Sequence, residues 1–335
     1  MNMKKQIYEY QDSIVMVSII VPVYQVSAYI EDCILSVMAQ TYKGRMECII
    51  VNDATNDDSI EICERLIHQY SGPIEFKIIS HEMNRGLSAA RNTGTDSAVG
   101  EYLYYLDSDD EITPDCIDKL MSFATEDCTI EMVQGNYVKI FDDHKEIGKS
   151  VNMQLGCNAD VRTQFLKYRR MSEFVWNKLL KRSVIVDNGI YNKEGLICED
   201  TLWTFHLIKH ISKARLCEDV TYHYKVRPGS IITGSGTRKR GLSYCVTYGE
   251  ILNGLTNGGE TEELTGCVYN FSYKYAFCVG STPELEPVMK LYKSKAKRHK
   301  CFKVLLILSV TSALCRVVDL PPIYEKLNRI RLKLR

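Results

Sequence analysis

Residues 15–23 read VMVSIIVPV, a β-branched and nearly unbroken apolar run followed at once by Tyr24 and Gln25. Apolarity at every position, rather than at alternate ones, marks a strand buried on both faces, as in the middle of a parallel sheet. Pro22, which has no N–H to give to a neighbour, is expected to end it. Working outward, Cys48–Val51, Phe76–Ile79 and Tyr102–Leu106 are further short apolar strands. Between them lie helical repeats. Ile30, Cys33, Ile34, Val37 and Met38 recur behind a Ser27 cap; Ile60, Cys63, Leu66, Ile67 and Tyr70 recur behind Asp57, Asp58 and Ser59; and Leu87–Gly94 forms a third. Thr113-Pro114 opens another helix with proline at its first position. The order β-α-β-α-β-α-β implies a mostly parallel, Rossmann-like sheet flanked by helices, and such sheets bind ligands beyond the carboxyl ends of their strands. After residue 240 the spacing loosens into helical segments, Leu242–Leu255 and Glu262–Val279. The expected organisation is an α/β domain over 1–235 and a helical C-terminal region over 236–335.

Composition narrows the function. In 335 residues, 42 basic side chains balance 42 acidic ones. Such a chain lacks the cationic surplus that neutralising phosphates requires, which argues against a nucleic-acid partner. The C-terminal part is basic by itself, with Lys290, Lys293, Lys295, Lys297, Arg298 and Lys300, then Lys326, Arg329, Arg331, Lys333 and Arg335. The 13 cysteines include no C-x-x-C pair, and Cys33, Cys48 and Cys63 sit at apolar positions of periodic segments. Reduced, buried thiols are the expectation. Met1–Gln11 has no apolar signal core, so the domain is expected to face the cytoplasm. Val304–Cys315 is apolar for about twelve residues, short of the roughly twenty that cross a bilayer. It reads either as a helix packed on the domain or as an interfacial helix on anionic lipid.

The chemistry concentrates at strand ends. Leu106-Asp107-Ser108-Asp109-Asp110 follows a strand, and adjacent carboxylates repel unless a cation or basic group offsets them. A hard ion, Mn²⁺ or Mg²⁺, held by one or two carboxylates and by substrate phosphates, suits such a turn. An acidic turn alone is also an ordinary helix cap. Its context is not ordinary. Tyr24, after the first strand, can line a base-binding slot; Asp53, after the second, can accept from a ring N–H; and Arg91, in Asn84-Arg85-Gly86-Leu87-Ser88-Ala89-Ala90-Arg91-Asn92, can contact phosphate.

In these stretches, and in WNKLLKR (176–182), GLICEDTLWTF (195–205) and YHYKVRPGS (222–230), the chain resembles the family 2 glycosyltransferases of the GT-A fold. The resemblance runs from about Val17 to Ser230 in the family's order. It implies an inverting enzyme using a UDP-sugar donor and a saccharide or lipid-linked acceptor, in cell-surface polysaccharide synthesis. By the same resemblance Pro22, Tyr24 and Asp53 hold the uridine, Arg91 touches nucleotide or diphosphate, Asp107 addresses the ribose and Asp109 the metal; Ser108, between them, is a further candidate for nucleotide binding. Gln25 departs from the family's usual Asn, and Ala54-Thr55-Asn56 from its Gly-Ser-Thr.

Transfer to a hydroxyl also needs a general base. Glu199-Asp200 opens an apparent helix, where acids also favour the helix dipole; the resemblance makes Asp200 the base and Glu199 its neighbour toward the acceptor. Trp176 and Lys178 are candidates for the acceptor site, with a core Trp and a solvated Lys as the alternative. His223, Arg227 and Ser230 are candidates for a segment closing over the diphosphate. His206 and His210 are four apart but lack the Glu of H-E-x-x-H. A sugar nucleotidyltransferase is the rival enzyme, although its glycine-rich loop is missing at Pro22-Val23-Tyr24. A nucleotide-sugar-binding module without activity is the non-enzymatic rival.

Overall fold

The structure, a computed structural model, describes residues 17–148, 150–227, 237–254 and 282–298, with 267, 268, 271, 272, 274, 275, 278 and 309. Ser230 and all of Val304–Cys315 except residue 309 lie outside the described residues, as does the expected boundary at 235/236. Two compact units are distinguished. The first comprises the described residues of Met1–Val161, Arg170–Gly195 and His206–Arg227; the second those of Arg162–Arg169, Leu196–Phe205 and Pro228–Arg335.

In chain order the elements are β1 (Val17–Val23), α1 (Ile30–Met38), β2 (Met46–Asn52), α2 (Ser59–Gln69), β3 (Glu75–Ser80), α3 (Leu87–Ser97), β4 (Tyr102–Tyr105), β5 (Glu111–Ile112), α4 (Cys116–Glu126), β6 (Met132–Ile140), β7 (Lys145–Ile147), β8 (Met153–Leu155), α5 (Asn158–Leu166), β9 (Lys178–Lys181), α6 (Arg182–Asp187), α7 (Asp200–Leu207), β10 (Ala214–Lys225), α8 (Thr237–Asn253) and α9 (Leu285–Arg298). The strands join one sheet in the order β3-β2-β1-β4-β9-β6-β10-β5, with β7 on β6 and β8 on β10. Pairings among β1 to β4 are parallel, as the alternation of strand and helix requires. Every residue of β1 is buried, which is why its sequence does not alternate. Ile30, Cys33, Ile34 and Val37 of α1 pack into the same core as Val17, Ile19, Val21, Cys48 and Ile50.

Beyond β4 the sheet reverses. β9 lies antiparallel between β4 and β6, and β10 runs parallel to β6 but antiparallel to β5. This half was not expected from the sequence. β5 and β9 are too short to carry a period, and β10 changes register between Leu216 and Tyr222.

Three local expectations are corrected. Pro22 does not end β1, which continues to Val23. The N–H of Leu106 already bonds the carbonyl of Ile20, so Pro22, two residues on and facing the same side, meets no β4 partner that needs a donor. Ser27 does not cap α1, whose N-cap is Tyr29; its N–H is instead given to Asp57 at 2.9 Å. Pro114 stands before α4, whose N-cap is Asp115.

The second unit is helical. The Tyr292 hydroxyl of α9 donates to the Tyr248 carbonyl of α8 at 3.2 Å, and Lys295 Nζ donates to Leu252 O at 2.9 Å. The segment 196–205 belongs to this unit: the Ile197 N–H bonds Ser243 Oγ at 3.0 Å and the Tyr244 hydroxyl lies 3.7 Å from Cys198 Sγ. Among the described residues no helix is long and apolar enough to cross a membrane.

At the carboxyl ends of β1 and β2 the two departures from the family pattern coincide with left-handed backbone, at Gln25 (φ 52°) and Ala54 (φ 53°). An L-residue with a Cβ is disfavoured there by about 1–2 kcal/mol, against glycine's greater freedom in the unfolded chain. Ala54→Gly is therefore expected to raise stability by about 0.5–1 kcal/mol. The urea midpoint should move up at constant slope; a midpoint that falls would show Ala54 to be unstrained.

Candidate active site

The loops after β1 and β2 are laced together by hydrogen bonds. The Gln25 N–H donates to Thr55 Oγ1 (2.8 Å), the Gln25 amide to Asn56 Oδ1 (3.0 Å), and the Val26 N–H to Ser59 Oγ (3.1 Å). Asp57 gathers Thr55 Oγ1 at 2.7 Å and Ser59 Oγ at 2.6 Å. Burial pushes its carboxyl up, but the hydrogen bonds from Ser59, Ser27 and Thr55 win and hold it well below the usual carboxylate range. Tyr24 projects from this platform and is 43% exposed, so its ring is open to a ligand. Pro22 is buried inside β1.

Asp53 does something other than wait for a ring N–H. It is 2% exposed, and its oxygens take the N–H of Arg85 (2.8 Å), the N–H of Gly86 (2.7 Å) and the Asn84 amide (2.9 Å). His81 Nδ1 lies 2.7 Å from Oδ1, while its Nε2 lies 2.8 Å from Thr93 Oγ1. Three N–H donors and the His81 ring surround one carboxylate. Asp53 thus pins the loop that delivers α3, whose preceding residue, Gly86, has φ 90°. His81 and Asn84 are the partners that the sequence reading did not assign; a histidine one residue past a strand carries no pattern.

From α3, Arg91 is 1% exposed and its guanidinium donates to Asp107 Oδ1 at 2.8 Å. Arg227, two residues beyond β10, donates from Nε to Asp109 Oδ2 at 2.6 Å, and its guanidinium lies 4.9 Å from the ring centre of Tyr29. The side chains of Asp107 and Asp109 remain 23% and 20% exposed. Burial, and then Asp107, push the Asp109 carboxyl up, while Arg227 pulls it back. Ser108, between them, is buried.

Asp110 was not singled out from the sequence, yet it ties the turn to β10. It is 1% exposed, accepts the Tyr222 hydroxyl at 2.7 Å and the Lys225 N–H at 2.8 Å, and its carboxyl is driven well above the usual range by burial, Asp109 and Asp107. The Asp107 N–H lies 3.3 Å from the same Tyr222 oxygen. Lys225 Nζ is held by Asp32 (2.8 Å) and Glu111 (2.5 Å).

Three candidates take other places than expected. Trp176 is 3% exposed, stacked between Phe174 and Tyr222 at 4.3 Å from each, so it buttresses Tyr222 and offers no face to a sugar. Lys178 is 0% exposed, its ammonium given to Ser172 Oγ at 2.9 Å and to the Phe174 carbonyl. His223 lies within β10, paired with Glu111 and Val138, rather than in a loop. Because neighbours in a strand face opposite sides, it is Tyr222 that reaches the acidic turn. Burial lowers the His223 pKa.

Before α7 the chain has left-handed backbone at Gly195 (φ 80°) and Cys198 (φ 59°). Glu199 is buried and Asp200, the first residue of α7, is partly exposed.

The oxygen donors at Asp107 and Asp109 suit a hard divalent ion. Among the described residues no group of three His, Cys, Asp or Glu side chains could hold a metal. The pair is of the kind that substrate phosphates complete.

A family profile described as "Glycosyl transferase family 2" matches residues 18–194. Over 233 residues the chain is 30% identical to the uncharacterized glycosyltransferase YibD of Escherichia coli (strain K12), covering 68% of this chain and 66% of YibD. The match thus spans just under two thirds of that relative. Among solved structures, S. aureus TarS 1-349 in complex with UDP has a similar fold (TM-score 0.66, 19% identity, 94% of this chain and 92% of that one). So does the mannosyltransferase PcManGT from Pyrobaculum calidifontis in complex with GDP-Man and Mn²⁺ (TM-score 0.55, 14% identity, 97% and 82%).

Tyr222→Phe leaves the ring stack in place and removes the hydroxyl from Asp110. Loss of a hydrogen bond to a buried carboxyl is expected to cost about 1–3 kcal/mol. Urea unfolding followed by tryptophan fluorescence should report it; an unchanged midpoint would mean that this link contributes nothing.

Proposed function

This chain belongs to glycosyl transferase family 2, and we propose that it moves one sugar from a UDP-sugar to a saccharide or lipid-linked saccharide acceptor, with inversion at the anomeric carbon. The observation that carries the reading is the turn Asp107–Asp110 at the carboxyl end of β4, with a guanidinium on each of its two partly exposed carboxylates. Acids and arginines paired along one turn suit a ligand that brings both a diphosphate and a divalent cation. The exposed Tyr24 ring beside this turn's sheet edge supports a seat for the base. Asp53 serves that seat by ordering Asn84–Gly86 rather than by accepting from the base itself.

Mn²⁺ or Mg²⁺, when bound at Asp109, would supply charge that offsets the departing diphosphate. The chain's own residues supply the rest. Asp107 addresses the ribose, with Arg91 orienting its carboxylate. Asp200 takes the proton of the acceptor hydroxyl as that oxygen bonds to the anomeric carbon, while the bond from that carbon to the UDP oxygen breaks on the opposite side. Glu199 orients the acceptor from its buried place next to Asp200. An α-linked donor then gives a β-linked product. The TarS complex with UDP supports the choice of nucleotide, and the PcManGT complex supports the metal. Exposed Lys290 and Lys297 on α9 support peripheral contact with an anionic surface, as a lipid-linked acceptor in cell-surface polysaccharide synthesis would require.

Asp200→Asn is expected to lower turnover by about 10²- to 10⁴-fold. UDP release from UDP-sugars measures turnover, and calorimetric UDP affinity should be unchanged. Full turnover in this variant would remove Asp200 as the base, and pyrophosphate release from UTP and a sugar phosphate would replace transfer by nucleotidyl chemistry.

A further inference from the structure

Asp109 is the carboxylate assigned to the cation, yet in this structure it already has one. Arg227 Nε sits 2.6 Å from Oδ2, with both side chains about four-fifths buried. The guanidinium is held from a second direction by the ring of Tyr29, 4.9 Å away. The end of β10, two residues earlier, is anchored as well: the Lys225 N–H is bonded to Asp110 at 2.8 Å and Lys225 Nζ is shared by Asp32 and Glu111. Asp107, the other partly exposed acid of the turn, carries Arg91 at 2.8 Å.

A divalent ion approaching Asp109 therefore meets a fixed positive charge within contact distance of the same carboxylate. In a partly buried site that repulsion is weakly screened. A nucleotide diphosphate changes the balance in two ways. It brings negative oxygens for the metal, and it offers Arg227 another acceptor, for which a guanidinium is well shaped.

We propose that Arg227 and the divalent cation are alternative partners of Asp109, so that the cation joins the site with the nucleotide diphosphate and not before it. The proposal rests on the metal reading of Asp109 given above. Arg227 is then a positioning residue with two seats, on Asp109 without nucleotide and on the diphosphate with it. By linkage, nucleotide and metal must each tighten the other's binding by the same factor. Part of that factor belongs to Arg227.

Mn²⁺ binding is measured from the electron paramagnetic resonance of the free ion, with the whole chain, with and without UDP. Wild type is expected to bind Mn²⁺ at least tenfold more tightly with UDP than without. Arg227→Gln should tighten UDP-free Mn²⁺ binding at least tenfold and weaken UDP binding, while Arg227→Lys, which keeps the charge, stays close to wild type without UDP. Equal Mn²⁺ affinity of wild type with and without UDP would overturn the proposal. So would a folded Arg227→Gln chain, judged by circular dichroism, whose UDP-free affinity is unchanged. If UDP binds but Mn²⁺ does not bind even then, the metal reading itself fails; if UDP-dependent Mn²⁺ binding survives and only the Arg227 effect is missing, this inference alone fails.

Discussion

Three carboxylates in one short turn repel one another, and the compensation of their charge organises the carboxyl end of the sheet around β4. Two unit charges about 4 Å apart near a protein surface interact by about 4 kcal/mol, a large share of any domain's net stability. Asp107, Asp109 and Asp110 are compensated in three different ways. Arg91 reaches the first from α3, Arg227 reaches the second from beyond β10, and the third is withdrawn from water and held by Tyr222 and the Lys225 N–H. Each device recruits a different part of the chain. The acidic turn is thus the point at which the parallel first half of the sheet and the mixed second half become mutually dependent.

The same economy explains the neighbouring loops. Asp53 and Asp57 lie a few residues apart after β2, and both are consumed by the chain's own donors: Asp53 orders the Asn84–Gly86 approach to α3, and Asp57 ties the β1 loop to the start of α2. Rigid loops at strand ends lower the ordering cost of binding. Left-handed backbone at Gln25 and Ala54 is the accompanying strain, and it sits where the chain departs from its family's usual residues.

What could be read from the sequence follows from how local each signal is. β1 declared itself because burial on both faces removes alternation, and α1 because its apolar residues recur at helical spacing. The acidic turn was legible because its carboxylates are adjacent. Asp110 differed from its neighbours only through long-range partners, Tyr222 and Lys225, more than a hundred residues away. Trp176 and Lys178 stand in a stretch that looks polar and aromatic, yet ring stacking and a carbonyl within four residues draw both into the core. That His223 lies inside a strand was hidden for a simpler reason: β10 continues for 12 residues through a register shift that no period reveals. Asp200 was legible as a helix start, but not that its segment would associate with α8.

The central claim is that the turn Asp107–Asp110 receives a nucleotide diphosphate together with a divalent cation. A crystal structure of the protein with UDP and Mn²⁺, recorded at the manganese absorption edge, tests it most directly. The account predicts one anomalous peak bonded to an Asp109 oxygen and to diphosphate oxygens, with the base beside Tyr24 and Asp53 still holding residues 84–86. A nucleotide bound away from the carboxyl ends of β1, β2 and β4, or manganese with no contact to this turn, would contradict it.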